Sequence, residues 1–347
     1  MQWRALPLLL ALPSPFPLAP APYRFMIDRS LIAAHLSSCL EDASHLNLPG
    51  YRRGKVRDTF DLGDRLVLVT TDRQSAFDRV LASIPFKGQA LNQVSAFWFE
   101  QTADIVPNHV ISIPDPNVTL GRKGRVVPIE FVVRAYLTGS TSTSAWRNYQ
   151  AGVRQYCGHT LPEGMVKNQA LARAIVTPTT KSDEHDELTS GDELVERGVV
   201  DRATWQRMED TALALFARGQ EIAAKNGMIL VDTKYEMAWD MDNQLMVVDE
   251  IHTPDSSRYW LADSYAERFV AGKEPENIDK EFLRLWFVEH CDPYNDAVLP
   301  AAPPELVVEL SARYAQLYER ITGREFIPVT SPAIRDRLKA SLRDLGA

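Results

Sequence analysis

At 347 residues the chain exceeds the ~250–300 at which a single hydrophobic core stops growing, so two substantial bodies are expected. Hydrophobic residues at 45% and charged residues at 24% describe a soluble globular protein, and a net charge of −8 argues against nucleic acid as the main partner, because phosphate-backbone binding needs a basic surface. Cys39, Cys157 and Cys291 are odd in number and form no CxxC pair, and no HExxH spacing occurs, which speaks against structural disulfides and zinc and for a reduced, cytoplasmic setting.

Residues 1–25 are rich in Pro and Leu. Pro7, Pro13, Pro15, Pro17, Pro20 and Pro22 break a helical core, so the stretch reads as a disordered extension ahead of a fold that begins near Met26, a targeting signal being the alternative. No other segment approaches the ~18 apolar residues that a membrane span needs. From Asp28 to Leu46 apolar residues recur at helical spacing, which predicts an amphipathic helix. YRRGKVRDTFDLG and RLVLVTTD then read as strand, turn and buried strand. At that turn stands Gly54-Lys55-Val56-Arg57, where a glycine lets backbone approach a polyphosphate and two cations can offset its charge. An exposed basic strand edge is the other reading, and valine after Lys55 rules out a Walker A loop. Asp72 and Ser75 follow a buried strand, placed either for ligand contacts or as caps of the next turn.

QALNQVSAFWFEQTAD reads as a helix and VPNHVISIPDPN leads into another strand. RVVPIEFVVRAYLTGS reads as a long buried strand carrying Arg134 and ending at Gly139-Ser140, where a guanidinium and a hydroxyl can converge on an anion. A salt bridge from Arg134 to a neighbouring acid is the competing account. TPTTKSDEHD, with Lys181, Asp183, His185 and Asp186, is polar and loop-like, either plain surface or a lid over a substrate. A clear amphipathic helix, DRATWQRMEDTALALFARGQEIAAKNG, follows and is capped by Gly227.

The stretch from Ile229 to Trp260 carries the most chemistry. Two alternating runs flank Asp240, Asp242 and Asn243, which predicts a β-hairpin. With a two-residue connection at Asp242-Asn243, Glu236 and Asp249 face each other across the ladder. Like charges opposite one another repel unless something positive lies between them, and a hard divalent cation meets that need; a solvated acidic face is the alternative. Lys234 shares a face with Asp232 and Glu236 by the period of two, crowding a cation and acids as phosphate and metal chemistry requires. Thr253 and Asp255 in TPDSSRYW read as the start of a helix, with Arg258 one turn on and within reach of the same cleft as Asp249. Two further helical stretches close the chain, and the whole order fits an α+β architecture of two lobes with a cleft between them.

GKVRDTF, TDRQSAFD, PIEFVVRAYLTGS, TPTTKSDEHDE, VDTKYEMAW and VDEIHTPDSSRYW, in this order, resemble the SAICAR synthetase family from about Arg52 to Phe326. The resemblance implies a small kinase-like nucleotide lobe over 26–128 and a larger ATP-grasp-like lobe over 129–347, with an antiparallel sheet and C-terminal helices. It implies an ATP- and Mg²⁺-dependent ligase of purine (IMP) biosynthesis. The carboxylate of carboxyaminoimidazole ribonucleotide is joined to the amine of L-aspartate through an acyl phosphate, with ADP and phosphate released. By the same resemblance Glu236 and Asp249 hold Mg²⁺, Lys234 neutralises charge near the transferring group, and Gly54, Lys55, Val56 and Arg57 line the nucleotide phosphates. Arg134, Ser140 and Arg258 grip the ribonucleotide, Asp72, Ser75 and Asp255 support it, and Lys181 and His185 belong to a loop that covers the cleft or meets aspartate. Phosphoryl transfer of this kind is mostly positioning and charge neutralisation, which agrees with the lack of a Ser-His-Asp or cysteine nucleophile pattern. No nucleic acid or membrane partner is expected, and a homo-oligomer is left open. A protein kinase would need HRD, DFG and a GxGxxG loop, none of which is in the sequence, and a non-catalytic nucleotide sensor is the remaining rival.

Overall fold

A computed structural model describes residues 26–77, 79–180, 187–278 and 281–346. The 1–25 extension, Lys181, Asp183, His185 and Asp186 lie outside the described residues. In chain order the elements are α1 (Arg29–Ala34), β1 (Arg52–Arg53), β2 (Arg57–Asp61), β3 (Arg65–Thr70), β4 (Arg73–Ala76), β5 (Arg79–Ser83), α2 (Lys87–Gln101), β6 (Val110–Asp115), β7 (Val118–Arg122) and β8 (Arg125–Leu137). They continue as α3 (Ala145–Gln150), β9 (Gln155–Tyr156), β10 (His159–Thr160), β11 (Gln169–Val176), β12 (Thr179–Thr180), β13 (Glu187–Leu188), α4 (Gly191–Glu196) and α5 (Arg202–Lys225). The last are β14 (Met228–Trp239), β15 (Leu245–Val248), β16 (Ser257–Leu261), α6 (Ala262–Val270), α7 (Glu281–His290), α8 (Pro304–Thr322) and α9 (Ile334–Ser341).

Two antiparallel sheets organise this mixture. The first has five strands in the order β1-β2-β3-β7-β6; the second has seven, with β8 and β14 side by side at its centre and β15, β16, β11, β12 and β13 around them. Val127, Ile129, Phe131 and Val133 alternate along β8 and point into the main core, where α5 covers the sheet with Met208, Ala212, Leu215 and Phe216. Asp201 caps α5 by accepting from the Thr204 amide at 2.9 Å, and Gly227, with φ of 68°, follows its last turn. The boundary expected between 128 and 129 falls inside β8, which enters the second sheet from Arg125. The first sheet has its own core of Phe60, Val67, Val69, Val118 and Leu120, and Leu338 and Leu342 from the far end of the chain complete it.

Three expectations are corrected. The opening helix stops at Ala34 instead of running to Leu46, because the chain must turn for the Leu40 amide to reach the Asp72 carboxylate at 2.7 Å. TPDSSRYW leads into a strand, β16, whose Arg258 pairs with Asp232 of β14; Thr253 and Asp255, which read as the start of a helix, instead belong to the turn before it. Among the described residues four helices, α6 to α9, follow the hairpin instead of two.

Candidate active site

The hairpin of β14 and β15 forms with a register one residue away from the expected one. Glu236 pairs with Val248, and Trp239 with Leu245, so five residues, 240–244, make the connection, closed by the Asp240 amide on the Gln244 carbonyl at 3.0 Å. Asp249 therefore lies just past the strand and is not opposite Glu236. Its φ of 69° turns the chain there, and its side chain still arrives beside Glu236. Both acids converge on Lys234 Nζ, with Glu236 Oε1 at 2.7 Å, Asp249 Oδ2 at 3.1 Å and Glu130 Oε1 at 3.9 Å. Burial disfavours the charged ammonium, but Asp249, Glu236 and Glu130 outweigh it and hold the Lys234 pKa well above the usual lysine range.

Arg57 reaches the same acids from the first sheet. Its guanidinium donates to Asp249 Oδ1 at 2.6 Å and lies 2.5 Å from Glu250 Oε2. Burial works against its charge, and the two carboxylates overcome that and raise its pKa further. Gly54, Lys55 and Val56 form the loop of the β1–β2 hairpin, closed by the Gly54 amide on the Arg57 carbonyl at 2.8 Å. The Arg73 side chain donates to the Gly54 and Lys55 carbonyls, which ties this loop to β4.

A cavity of about 260 Å³ opens beside the acids, and Arg134, Asp232, Lys234, Asp255, Arg258 and Arg284 line it. Arg134 and Arg258 both bind Asp232 Oδ2, at 3.5 and 2.6 Å, so two guanidinium groups share one carboxylate at the cavity wall. Arg134 is further held by Thr177 Oγ1 at 2.9 Å and the Thr143 carbonyl at 3.3 Å. The salt-bridge account of Arg134 is thus realised, and the same side chain still borders the cavity.

Other expected contacts fall elsewhere. Asp72 is buried and accepts from the Leu40 amide at 2.7 Å and the Gly88 amide at 2.9 Å; burial pushes its pKa up to about 6. It is a strut between α2 and the segment before the first sheet and does not line the cavity. Ser75 is buried in β4, outside the cavity lining. Ser140 donates to Glu281 Oε1 at 2.9 Å, and it is Glu281, not Ser140, that lines the cavity with Arg134.

Sequence reasoning missed Glu250, Glu130, Arg284 and Lys87. Glu250 stands next to Asp249 but reads as its out-of-phase neighbour in an alternating strand, and only the turn at Asp249 swings it toward Arg57. Lys87 lies ahead of the helix expected from Gln89 and is of a residue type seldom buried, yet it opens α2 and is fully buried.

Hard, anionic oxygen donors that already gather round one cation suit a hard divalent ion. Glu236 and Asp249 supply two such carboxylates, the number magnesium usually takes from protein when phosphates and water complete its shell. Among the described residues no group of three or more His, Cys, Asp or Glu side chains could hold a metal by itself. Nor is any helix among the described residues long and apolar enough to cross a membrane.

Residues 50–301 match the sequence model of the family described as SAICAR synthetase. A phosphoribosylaminoimidazole-succinocarboxamide synthase from Legionella pneumophila is 59% identical over 287 residues, covering 82% of this chain and 92% of the relative. A chloroplastic enzyme of the same name from Arabidopsis thaliana is 57% identical over 309 residues, covering 87% of this chain and 75% of the relative. Among solved structures, SAICAR synthase from Saccharomyces cerevisiae complexed with SAICAR superimposes with a TM-score of 0.70 at 31% identity, covering 80% of this chain and 96% of that one.

Proposed function

Because the chain belongs to the SAICAR synthetase family, we propose how its residues divide the work of that family's reaction, the ATP-dependent ligation of purine biosynthesis. The carboxylate of carboxyaminoimidazole ribonucleotide attacks the γ-phosphorus of ATP, ADP leaves, and the amine of L-aspartate then displaces phosphate from the acyl phosphate to form the amide. A carboxylate is a poor electrophile, and this activation is what ATP contributes.

The observation that carries the reading is the convergence of Glu236 and Asp249 on Lys234 Nζ at the rim of a cavity walled by Arg134 and Arg258. Glu236 and Asp249 are the residues that would hold Mg²⁺, which when bound neutralises phosphate charge and orients the γ-phosphoryl group. Lys234 supplies a positive charge beside the transferring group, held in place by the Glu236 and Asp249 carboxylates. Arg57 bridges Asp249 and Glu250, and with Gly54, Lys55 and Val56 it forms the side from which the nucleotide phosphates approach. Arg134 and Arg258 take the 5′-phosphate of the ribonucleotide, a role that two forked guanidinium groups on one wall suit. Asp255 on the same wall accepts from a substrate N–H group.

On this reading the first sheet belongs to a nucleotide lobe similar to that of protein kinases, and the second to an ATP-grasp-like lobe. The hairpin loop at Gly54 in one and the acids on β14 and just past β15 in the other support that division. Small molecules are then the partners, and the cytoplasm is the proposed compartment. The deciding experiment is a coupled ADP assay with the ribonucleotide present and aspartate present or omitted. Stoichiometric ADP and succinocarboxamide absorbance only with aspartate support the reading; steady ADP release without aspartate makes the protein a kinase, and nucleotide binding without product makes it a sensor.

A further inference from the structure

Lys87 and Tyr314, to which the roles above assign nothing, form a buried cluster with Asp255. Lys87 opens α2 and is fully buried, with Nζ 2.7 Å from Asp255 Oδ2. Tyr314 on α8 is also fully buried and donates its hydroxyl to Asp255 Oδ1 at 2.5 Å, while the ammonium lies 5.6 Å from its ring centroid. The hydroxyl has one proton and two acceptors, Asp255 and Gln74 Oε1 at 2.9 Å, and the ionised and nearer carboxylate has the stronger claim on it. A helix from the first half of the chain and a helix from its last quarter thus each fasten one oxygen of the same side chain.

A buried ion pair is a weak source of stability, since well-packed apolar groups in its place are often as stable or more so. The use of this pair is therefore to be sought in what it does to Asp255. Lys87 and Tyr314 each bind one of the two oxygens of the Asp255 carboxylate. Pinned at both oxygens, the group cannot rotate about its terminal bond. It borders the cavity shared by Arg134, Lys234 and Arg258.

We propose that Lys87 and Tyr314 are positioning residues for the ligation: they lock the Asp255 carboxylate in the one orientation that accepts a hydrogen bond from an amine N–H of a bound substrate. The donor is the amine of the aminoimidazole ribonucleotide or that of aspartate. This rests on the assignment of the cavity to those substrates made above.

The test uses the full chain with all three substrates varied in turn. Tyr314→Phe keeps the ring beneath Lys87 and removes only the hydroxyl. The expected result is a fall in kcat/KM of about 10-fold or more, the weight of a hydrogen bond to a charged group, with the KM of one amine-bearing substrate raised and that of ATP unchanged. Whichever KM rises identifies the donor. In an Asp255→Asn background the same Tyr314→Phe change should add nothing further, because its effect runs through the carboxylate. Lys87→Met should mimic Tyr314→Phe where it folds, and where it does not, the tyrosine variant decides alone. An equal loss from Tyr314→Phe in both backgrounds, or a loss of melting temperature and active fraction at unchanged KM, overturns the proposal in favour of a purely structural cluster. Full activity in Asp255→Asn overturns it at its root, by removing Asp255 from substrate binding while leaving the acid and lysine assignments standing.

Discussion

The Arg57 guanidinium and the Asp249 carboxylate meet at 2.6 Å although 192 residues separate them in the chain. Arg57 begins the second strand of the first sheet and Asp249 ends the hairpin of the second, so this contact sets the distance between the hairpin loop and the acids. Glu250 holds the other arm of the fork at 2.5 Å. Arg57→Ala should lower kcat and also destabilise the fold by about 1.5–3 kcal/mol, because two partly buried carboxylates lose their shared donor. Arg57→Lys, which keeps the charge and gives up the fork, should recover stability more than turnover. Urea unfolding alongside steady-state kinetics checks both, and a lysine variant with wild-type kcat would show that charge alone suffices.

Glu236→Gln and Asp249→Asn should each abolish measurable ligation, a loss beyond about 100-fold, since each removes a carboxylate from a site that works by electrostatic preorganisation. The fold should survive, because Lys234 keeps the other acid as a partner in each variant. Calorimetric titration with ATP and magnesium should show weaker nucleotide binding at low metal concentration. A fully active variant would remove the acids from the mechanism.

Arg134→Ala should raise the KM of the ribonucleotide far more than that of ATP. Asp232 retains Arg258 at 2.6 Å, so the carboxylate is not stranded and the protein should remain folded. Equal effects on both KM values would contradict the placement of the 5′-phosphate.

His252 gives the protein a pH dependence that can be read from its surroundings. It is fully buried, its ring packs edge-on against Trp98 at 4.6 Å, its Nε2 is hydrogen-bonded to the Tyr235 hydroxyl, and burial lowers its pKa from 6.5 to about 3. Burial likewise lowers that of His109, to about 4. The folded state therefore binds fewer protons than the unfolded one, so this contribution is complete above pH 6.5 and is lost as pH falls. Between pH 6.5 and 5 the loss from His252 alone is about 2 kcal/mol, taking 1.36 kcal/mol per unit. Urea midpoints measured across that range should fall, and a His252→Gln variant should show a flatter slope.

Gly88→Ala tests packing next to the buried lysine. A Cβ there would sit 2.3 Å from the Thr70 carbonyl oxygen and 2.6 Å from Asn117 Nδ2, both held within the fold, so α2 would have to shift. A destabilisation of about 1–3 kcal/mol is expected from overpacking, read as a lower urea midpoint at unchanged slope.

What could be read from residue order alone follows a physical rule. β14 was legible because its alternation is strong, and Arg134, Lys234, Asp255 and Arg258 were legible as charges in unusual company; the structure sets all four around one cavity. The register of the hairpin was not, since connection length is decided by how Asp240 and Gln244 close the turn, and one residue more or less moves every opposite pair. β16 was misread because Thr, Pro, Asp and Ser serve equally well before a helix or in a turn, and the neighbour that settles the matter, β14, is distant in sequence. Asp72 lost its expected role to two backbone amides for the same reason: hydrogen-bond partners across 16 and 32 residues leave no local signature.

Arg337 on α9 grips Asp115 with both carboxylate oxygens at 2.8 Å, and Leu338 and Leu342 fill the interior of the sheet that contains Arg57. During synthesis that sheet must wait, its apolar interior open on one side, until α9 has left the ribosome. Fusions or tags joined close behind Leu345 consequently bear on the geometry of a hairpin made almost three hundred residues earlier, whereas the wide sheet with β14 can assemble before them.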